Sequence, residues 1–258
     1  MQLVKMKNAK QYNYIENYLE DIQSEGRITF DLNEIRNHFF GHSNIAIKHS
    51  LNRLAKKNII VSVHKGFYVI VPPQYYNRKI LPPELFIDQL FEYLNRKYYL
   101  ALISAAAFHG AAHQKPLETF VIIQKPPLRS SSIKNLKINY VVKSDFDSVG
   151  IIQRKTDTGY IKLSSPELTA VDLLLYVKRI GGIIRAVEII EELSDSIQPD
   201  RLSDVIEHYK IPVSVLQRLG FICDMHSNLS RISKTIIHYL SGCSLNKVLL
   251  DPSEKKGK

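Results

Sequence analysis

The chain has 258 residues, of which 45% are hydrophobic and 23% charged, and 35 Lys and Arg outnumber 25 Asp and Glu to give a net charge of +10. This composition is that of globular proteins and excludes a wholly disordered chain, while the length is sufficient for two domains. The basic excess indicates a polyanionic partner. Residues 1–75 carry a net charge of +4, residues 76–165 carry +6, and residues 166–258 are neutral. We therefore expect the polyanion to bind the first two thirds of the chain.

Targeting signals and cysteine content are the features of the sequence that indicate the compartment. The N-terminal residues lack the apolar core of a signal peptide, and no apolar run approaches the length of a membrane helix. Cys223 and Cys243 are too few for a disulfide scaffold. We expect a cytoplasmic protein with no membrane partner.

Three helices are predicted in the first 60 residues. Residues 11–24 place their apolar side chains on one helical stripe. Asp31, with Glu34 three residues later, has the spacing of a capping box and predicts the start of a second, short helix. Ser43 predicts the N-cap of a third helix, whose inward residues are Ile47, Leu51 and Leu54.

Two β-rich runs on either side of His64-Lys65-Gly66 predict a hairpin after the third helix. Three short helices followed by a hairpin are the order of a winged helix-turn-helix, which we assign to residues 1–73. His38, His42 and His64 are interpreted as polar surface residues. A winged helix can also bind protein, and that alternative stays open.

The outward face of the third helix carries basic and amide side chains and no acidic residue. A helix of this kind fits the major groove of DNA, where Asn and Arg can pair with base edges and Lys and Arg with phosphates. The earliest residues are expected nearest the bases, Arg53, Lys56 and Lys57 nearest the backbone, and Lys65 at the hairpin tip. The predicted DNA contacts are Ser43, Asn44, Lys48, His49, Asn52, Arg53, Lys56, Lys57 and Lys65.

A proline-rich linker at 74–83 is predicted to separate this domain from a larger one at 84–250, with a flexible tail at 251–258. The larger domain begins with a helix at 84–97. One antiparallel sheet of about four strands follows, with strand candidates at 119–124, 136–143, 149–155 and 159–164. Ser165 then predicts the N-cap of the first of several helices. The fold class is α+β: a small antiparallel sheet flanked by helices, with a helical C-terminal part.

Few residues are candidates for catalysis. His109 and His113 share a helical face, and Asp145 and Asp147 form an Asp-x-Asp pair, so a metal-dependent nuclease stays open as the least favoured alternative. Glu167 and Asp172 are interpreted as a helix-start residue and a solvated or capped helix residue. We expect no enzymatic activity, no metal and no cofactor.

The middle of the chain contains a candidate basic surface on strands and loops. It could contact DNA phosphates, an acidic toxin surface or RNA, or it could be a solvated face. Its residues are Lys115, Lys125, Arg129, Lys134, Lys137, Lys143, Arg154 and Lys155.

Four blocks of the second domain resemble the AbiEi antitoxins of abortive-infection toxin–antitoxin systems. The blocks are YYLALISAAAFHGAAHQKP at 98–116, KTDTGYIKLSSPELTAVDLLLY at 155–176, GGIIRAVEIIEEL at 181–193 and LQRLGFI at 216–222. The resemblance extends over roughly residues 11–225. The chain after about residue 226 is the part least similar to the family.

This resemblance implies a role in phage defence with two activities. The first domain would repress its own operon by binding promoter repeats as double-stranded DNA. The second would counteract a cognate nucleotidyltransferase-like toxin, directly or functionally. The resemblance does not assign antitoxin residues one by one. An antitoxin that binds its toxin directly, with a winged helix that does not bind DNA, is the main alternative.

Overall fold

A computed structural model of the chain describes residues 14–75, 81–112, 117–133, 136–144 and 146–252, without the side chains of 132 and 133. These residues divide into two compact units. The first comprises the described residues up to Arg96, together with those of 131–137 and 155–161. The second comprises the described residues of 97–130, 138–154 and 162–252.

The helices and strands are numbered here in chain order. The helices are α1 (Tyr14–Ser24), α2 (Leu32–His38), α3 (Asn44–Lys56), α4 (Ile87–Tyr93), α5 (Leu102–Phe108), α6 (Pro166–Leu175), α7 (Ile183–Glu192), α8 (Pro199–Tyr209), α9 (Val213–Met225) and α10 (Ser230–Leu240). The strands are β1 (Thr29–Asp31), β2 (Ile60–His64), β3 (Phe67–Ile70), β4 (Tyr98–Leu100), β5 (Glu118–Ile123), β6 (Ser131–Ile133), β7 (Leu136–Val142), β8 (Ile151–Thr156) and β9 (Gly159–Ser164).

The second and third helices begin where capping predicts. The Asp31 side chain accepts hydrogen bonds from the backbone N–H groups of Asn33 and Glu34, and the Ser43 side chain accepts one from Ala46. The inward residues predicted for the third helix are buried in a core formed with α1, α2 and the hairpin. Of the first predicted helix, residues 11–13 lie outside the described part.

The hairpin β2–β3 is confirmed, and β1 pairs with β3 to give the antiparallel order β1-β3-β2. Thr29 lies opposite Val69, and Asp31 lies opposite Phe67. Strand β1 was not predicted, because a strand of three residues is too short to show alternation.

Strands β4 to β9, as far as they are described, form a sheet in the order β6-β7-β5-β4-β9-β8. The four predicted strands are present as β5, β7, β8 and β9. The prediction of a purely antiparallel, four-stranded sheet is wrong, because β4 and β6 are added and β4 pairs in parallel with β9 at Leu100 and Leu163. All three residues of β4 are buried, so this strand lacks the alternation that marks a half-exposed strand.

Helices α5 to α10 pack into a second hydrophobic core with strands of this sheet. Ser165 caps α6 as predicted, and its hydroxyl accepts a hydrogen bond from the N–H of Leu168 at 3.3 Å. The helix predicted at 84–97 is shorter and ends where Asn95 adopts a positive φ of 49°. The architecture is α+β. Among the described residues, no helix combines the length and apolarity that a bilayer crossing requires.

Candidate functional site

Helix α3 presents one exposed stripe opposite its buried face. Ile45, Lys48, His49, Asn52 and Lys56 follow the spacing i, i+3, i+4, i+7 and i+11, and each is exposed. Residues at these spacings share one side of a helix. The basic face predicted from the sequence is therefore continuous along α3, and it begins with an apolar residue.

The residues at the start of α3 are also open to solvent. Ser43 and Asn44 are exposed, and the hydroxyl of Ser43 lies 3.2 Å from the backbone nitrogen of Ala46, from which it accepts the capping bond. The Ser43 hydroxyl is thus already used within the helix. Asn44 has a side-chain amide, which can donate and accept hydrogen bonds at once.

Two of the residues predicted to contact the DNA backbone lie off this stripe. Arg53 is half-buried, unlike Lys48 and Lys56. The Lys57 ammonium lies 3.7 Å from a carboxylate oxygen of Glu16 on α1. The strongest candidates for contact with an external polyanion are therefore the two stripe lysines.

Lys65 lies at the hairpin tip and is exposed. Its carbonyl accepts a hydrogen bond from the Tyr93 hydroxyl at 3.2 Å. Gly66 follows with φ of +80°, and a Cβ there would lie 2.8 Å from that hydroxyl oxygen. The contacts that fix the tip therefore involve the backbone of Lys65 and Gly66, and the Lys65 side chain takes no part in them.

Helix α3 lies in a long stretch of sequence that lacks acidic residues. The sequence from 35 to 83 contains no Asp or Glu. The carboxylate of Glu34, which precedes this stretch, accepts hydrogen bonds from Arg27 and Tyr18, each at 2.8 Å. Burial, followed by that bond to Glu34, raises the pKa of Tyr18 to about 12.

Two exposed apolar residues beside this face were not predicted from the sequence. Phe40, in the turn before α3, is 91% exposed, and Ile45 is 70% exposed. The helical spacing of Ile45 to Lys48 and His49 is a signal that would have placed Ile45 on the outward face.

A buried polar network lies in the second unit, between β4, the end of β7 and α6. The Lys143 ammonium lies 3.1 Å from Oδ1 of Asp172, and the Tyr99 hydroxyl donates to Oδ2 at 2.8 Å. Burial raises the pKa of Asp172, against the opposing effects of the Lys143 charge and the Tyr99 bond. Burial also raises the pKa of Tyr99 well above its ordinary value.

These contacts correct the interpretation of Asp172, whereas Glu167 lies in the first turn of α6 as predicted. Asp172 is fully buried instead of solvated, and Glu167 is also fully buried. One oxygen of Glu167 accepts a hydrogen bond from the backbone nitrogen of Gln198, just before α8, at 2.8 Å. Both carboxylates therefore connect α6 to neighbouring elements.

His109 contacts the same region. Its Nε2 lies 2.8 Å from the carbonyl oxygen of Ser164, and because a carbonyl only accepts, Nε2 carries the hydrogen. Burial lowers the pKa of His109. Ser164 also bonds through its hydroxyl to that of Thr169 at 2.6 Å.

The region that contains this network has a recognisable family pattern. Residues 99–225 match the AbiEi antitoxin C-terminal domain. The chain belongs to the AbiEi antitoxin family. The network residues Tyr99, His109, Lys143, Glu167 and Asp172 all fall within the matched range, where they hold the AbiEi domain together internally.

One solved structure has a similar fold. The RV2827C protein from Mycobacterium tuberculosis is 16% identical, with a TM-score of 0.63 over 88% of this chain and 81% of that one. At this identity the likeness concerns the fold alone. An antigenic nucleotidyltransferase-like protein from Paracoccidioides brasiliensis is 11% identical over 52% of this chain and 90% of its own, with a TM-score of 0.35. No curated protein matches the chain.

The candidate basic surface is divided between the two units. Lys125, Arg129 and Arg154 are exposed in the unit that holds most of the AbiEi domain, and Lys137 and Lys155 are exposed in the first unit. Lys143 differs from the prediction, because its side chain is only 12% exposed and is paired with Asp172. Lys115 and Lys134 lie outside the described residues.

Of the residues considered for a metal site, His109 and Asp147 lie in the described part of the chain, and each contacts a different partner. Asp147 lies 2.8 Å from Nε2 of His208 and accepts a hydrogen bond from the N–H of Val149. His113 and Asp145 lie outside the described residues. Within the described ranges, no group of three His, Cys, Asp or Glu side chains is placed to hold a metal ion.

Proposed function

We propose that this AbiEi antitoxin is also a sequence-specific DNA-binding protein that represses its own toxin–antitoxin operon. In this proposal the first unit is a winged helix-turn-helix, α3 enters the major groove, and the β2–β3 hairpin is the wing. The AbiEi domain counteracts a nucleotidyltransferase-like toxin. The proposal assigns no enzymatic activity to the chain.

The exposed stripe of α3 is the observation that carries the DNA-binding half. It combines two lysines, a histidine and an amide on one helical face, with Lys65 on the following hairpin. An α-helix fits the major groove, and Asn and Lys side chains can read base edges or bind phosphates there. The absence of Asp and Glu from the sequence between 35 and 83 reduces repulsion against the phosphate backbone.

The test is binding of the full chain to the promoter duplex of its own operon, compared with a scrambled duplex of the same composition. Each phosphate neutralised by a lysine lowers log K by about 0.9 for every tenfold increase in salt. Contacts by Lys48, Lys56 and Lys65 would thus give a slope of about −3 per chain. Equal affinity for the two duplexes at every salt concentration would exclude the repressor role.

The antitoxin half is tested by growth. Co-expression of the full chain with the toxin encoded beside it should restore growth that the toxin alone arrests. Replacing Lys125, Arg129 and Arg154 by Ala tests whether their exposed charges in the second unit are required. A matched triple variant at Lys178, Arg179 and Lys234 removes three exposed charges from helical regions of the same unit.

Direct toxin binding is a second candidate for the antitoxin mechanism. Helix α9 exposes Phe221 and Met225, which lie four residues apart and are 54% and 68% exposed. Adjacent exposed apolar side chains favour a protein contact. Co-purification of the toxin with the wild-type chain, and its loss on Phe221→Ser with Met225→Ser, would support direct binding. Growth rescue without co-purification would favour a functional antagonism.

A further inference from the structure

Ile45 is the apolar member of the exposed stripe on α3. It is 70% exposed, although it lies only two residues before the fully buried Ile47. Its neighbours on the stripe, Lys48 and His49, follow at i+3 and i+4 and are polar. In an amphipathic helix such as α3, an exposed position like 45 is normally occupied by a polar residue, so the packing of the helix does not explain the isoleucine.

The position of Ile45 limits what it can contact in the proposed complex. It lies in the first turn of α3, next to Asn44, and the N-terminal part of a recognition helix is the part that reaches the base edges. An isoleucine offers no hydrogen bond to a base or to a phosphate. Among the groups that base pairs display in the major groove, the 5-methyl of thymine is the apolar one.

Charge complementarity favours DNA over a protein as the partner of the exposed stripe on α3. The stripe that continues from Ile45 carries Lys48 and Lys56 and no carboxylate. A polyanion is attracted to such a face, whereas the core of a protein interface is depleted of charged residues.

We propose that Ile45 contacts the 5-methyl group of a thymine in the operator and thereby selects thymine at that position. This inference rests on the proposed DNA-binding function. It assigns sequence selection in part to an apolar contact, beside the hydrogen bonds available to Asn44 and Asn52.

The experiment compares the promoter duplex with the same duplex in which deoxyuridine replaces thymidine throughout, since uracil differs from thymine only by the missing methyl. The wild-type chain should bind the uracil duplex about fourfold more weakly for each methyl that Ile45 contacts. Ile45→Ala should bind both duplexes equally. This variant is expected to fold, because position 45 is exposed and Ala has the higher helix propensity.

Ile184 provides a matched control, since it is an isoleucine on α7 with 74% exposure. Ile184→Ala should retain the full preference for the thymine duplex. Equal binding of both duplexes by the wild-type chain would overturn the inference, provided that it still prefers the promoter to a scrambled duplex. A preference for thymine that survives in Ile45→Ala, or that is lost instead in Phe40→Ala, would also overturn it.

Failure of the underlying function gives a different result. In that case the wild-type chain would not distinguish the thymine-containing promoter from the scrambled thymine duplex, and both proposals would fall. Loss of toxin co-purification in Ile45→Ala, with unchanged DNA binding, would assign the residue to a protein contact and would also overturn the inference.

Discussion

Lys143 and Asp172 form an ion pair inside the AbiEi domain, with Nζ 3.1 Å from Oδ1 and the Asp172 side chain fully buried. The second oxygen of Asp172 accepts a hydrogen bond from Tyr99. Charges taken out of water are costly unless they are paired and hydrogen-bonded. In this network each oxygen of the carboxylate has a donor.

Replacing Lys143 by Met should lower the free energy of unfolding by about 3–5 kcal/mol at neutral pH, because a buried carboxylate then loses its counter-charge. Burial already raises the pKa of Asp172, and loss of the ammonium should raise it further. A carboxyl with a raised folded-state pKa contributes stability at low pH and loses it as the pH rises through that pKa. The loss in free energy of unfolding caused by Lys143→Met should therefore shrink as the pH is lowered. Urea unfolding of both proteins at several pH values measures this loss.

The exposed Lys178 gives the control, since Lys178→Met should change stability by less than about 0.5 kcal/mol. Adding Asp172→Asn to Lys143→Met should recover part of the loss at neutral pH. Equal deficits at low and neutral pH, with no recovery in the double variant, would contradict an electrostatic origin.

His109 should make the stability of the chain depend on pH near its ordinary pKa. Burial lowers the pKa of His109 below 6.5, so the unfolded chain binds this proton more readily than the folded chain. Stability from this residue should fall as the pH decreases from about 6.5 through the lower folded-state pKa, with a slope of at most about 1.4 kcal/mol per pH unit. Unfolding in urea between pH 5 and pH 7.5 measures the slope.

His109→Gln should flatten that dependence, because glutamine can donate to the Ser164 carbonyl but does not titrate. His49→Gln, at an exposed position on α3, should leave the wild-type slope in place. A slope that is the same in wild type and His109→Gln would show that other groups cause it.

Local sequence signals predicted the elements around α3 well. The Ser43 cap and the inward spacing of Ile47, Leu51 and Leu54 are local patterns, and the structure reproduces both. The same spacing indicates which side chains are exposed. It does not show that Lys57 lies near Glu16 of α1, because that contact depends on how two helices pack.

Local sequence signals did not predict the buried polar network of the AbiEi domain. Asp172 bonds to Lys143 and Tyr99, which lie 29 and 73 residues before it, and only the folded chain brings them together. One local sign was available. Helix α6 has few polar residues, and a helix that is apolar on nearly all sides is a buried one. Its acidic residues were therefore candidates for burial.

Gly150 and Gly110 provide a comparison between two kinds of strain. Both have positive φ, +67° and +82°. A Cβ at Gly150 would lie 3.0 Å from side-chain atoms of Leu168 and Val205, whereas a Cβ at Gly110 would meet nothing within 4 Å. Gly110→Ala should cost about 1–2 kcal/mol from backbone strain, and Gly150→Ala about 1–3 kcal/mol more from overpacking. Urea midpoints of the two variants measure the difference, and equal midpoints would show that the neighbours of Gly150 yield freely.

Lys56 and Lys57 are adjacent in sequence, but they should differ in DNA binding. Lys56 lies on the exposed stripe of α3, whereas the Lys57 ammonium lies 3.7 Å from a carboxylate oxygen of Glu16. Lys56→Ala should weaken binding to promoter and scrambled duplexes alike and reduce the salt slope by about 1, because one phosphate contact is lost. Lys57→Ala should reduce the slope by less, since part of its charge is already offset by Glu16. Titrations of both variants at four salt concentrations measure the two slopes. A larger reduction for Lys57→Ala than for Lys56→Ala would place the phosphate backbone on the α1 side of α3 and would exclude the exposed stripe as the DNA-facing surface.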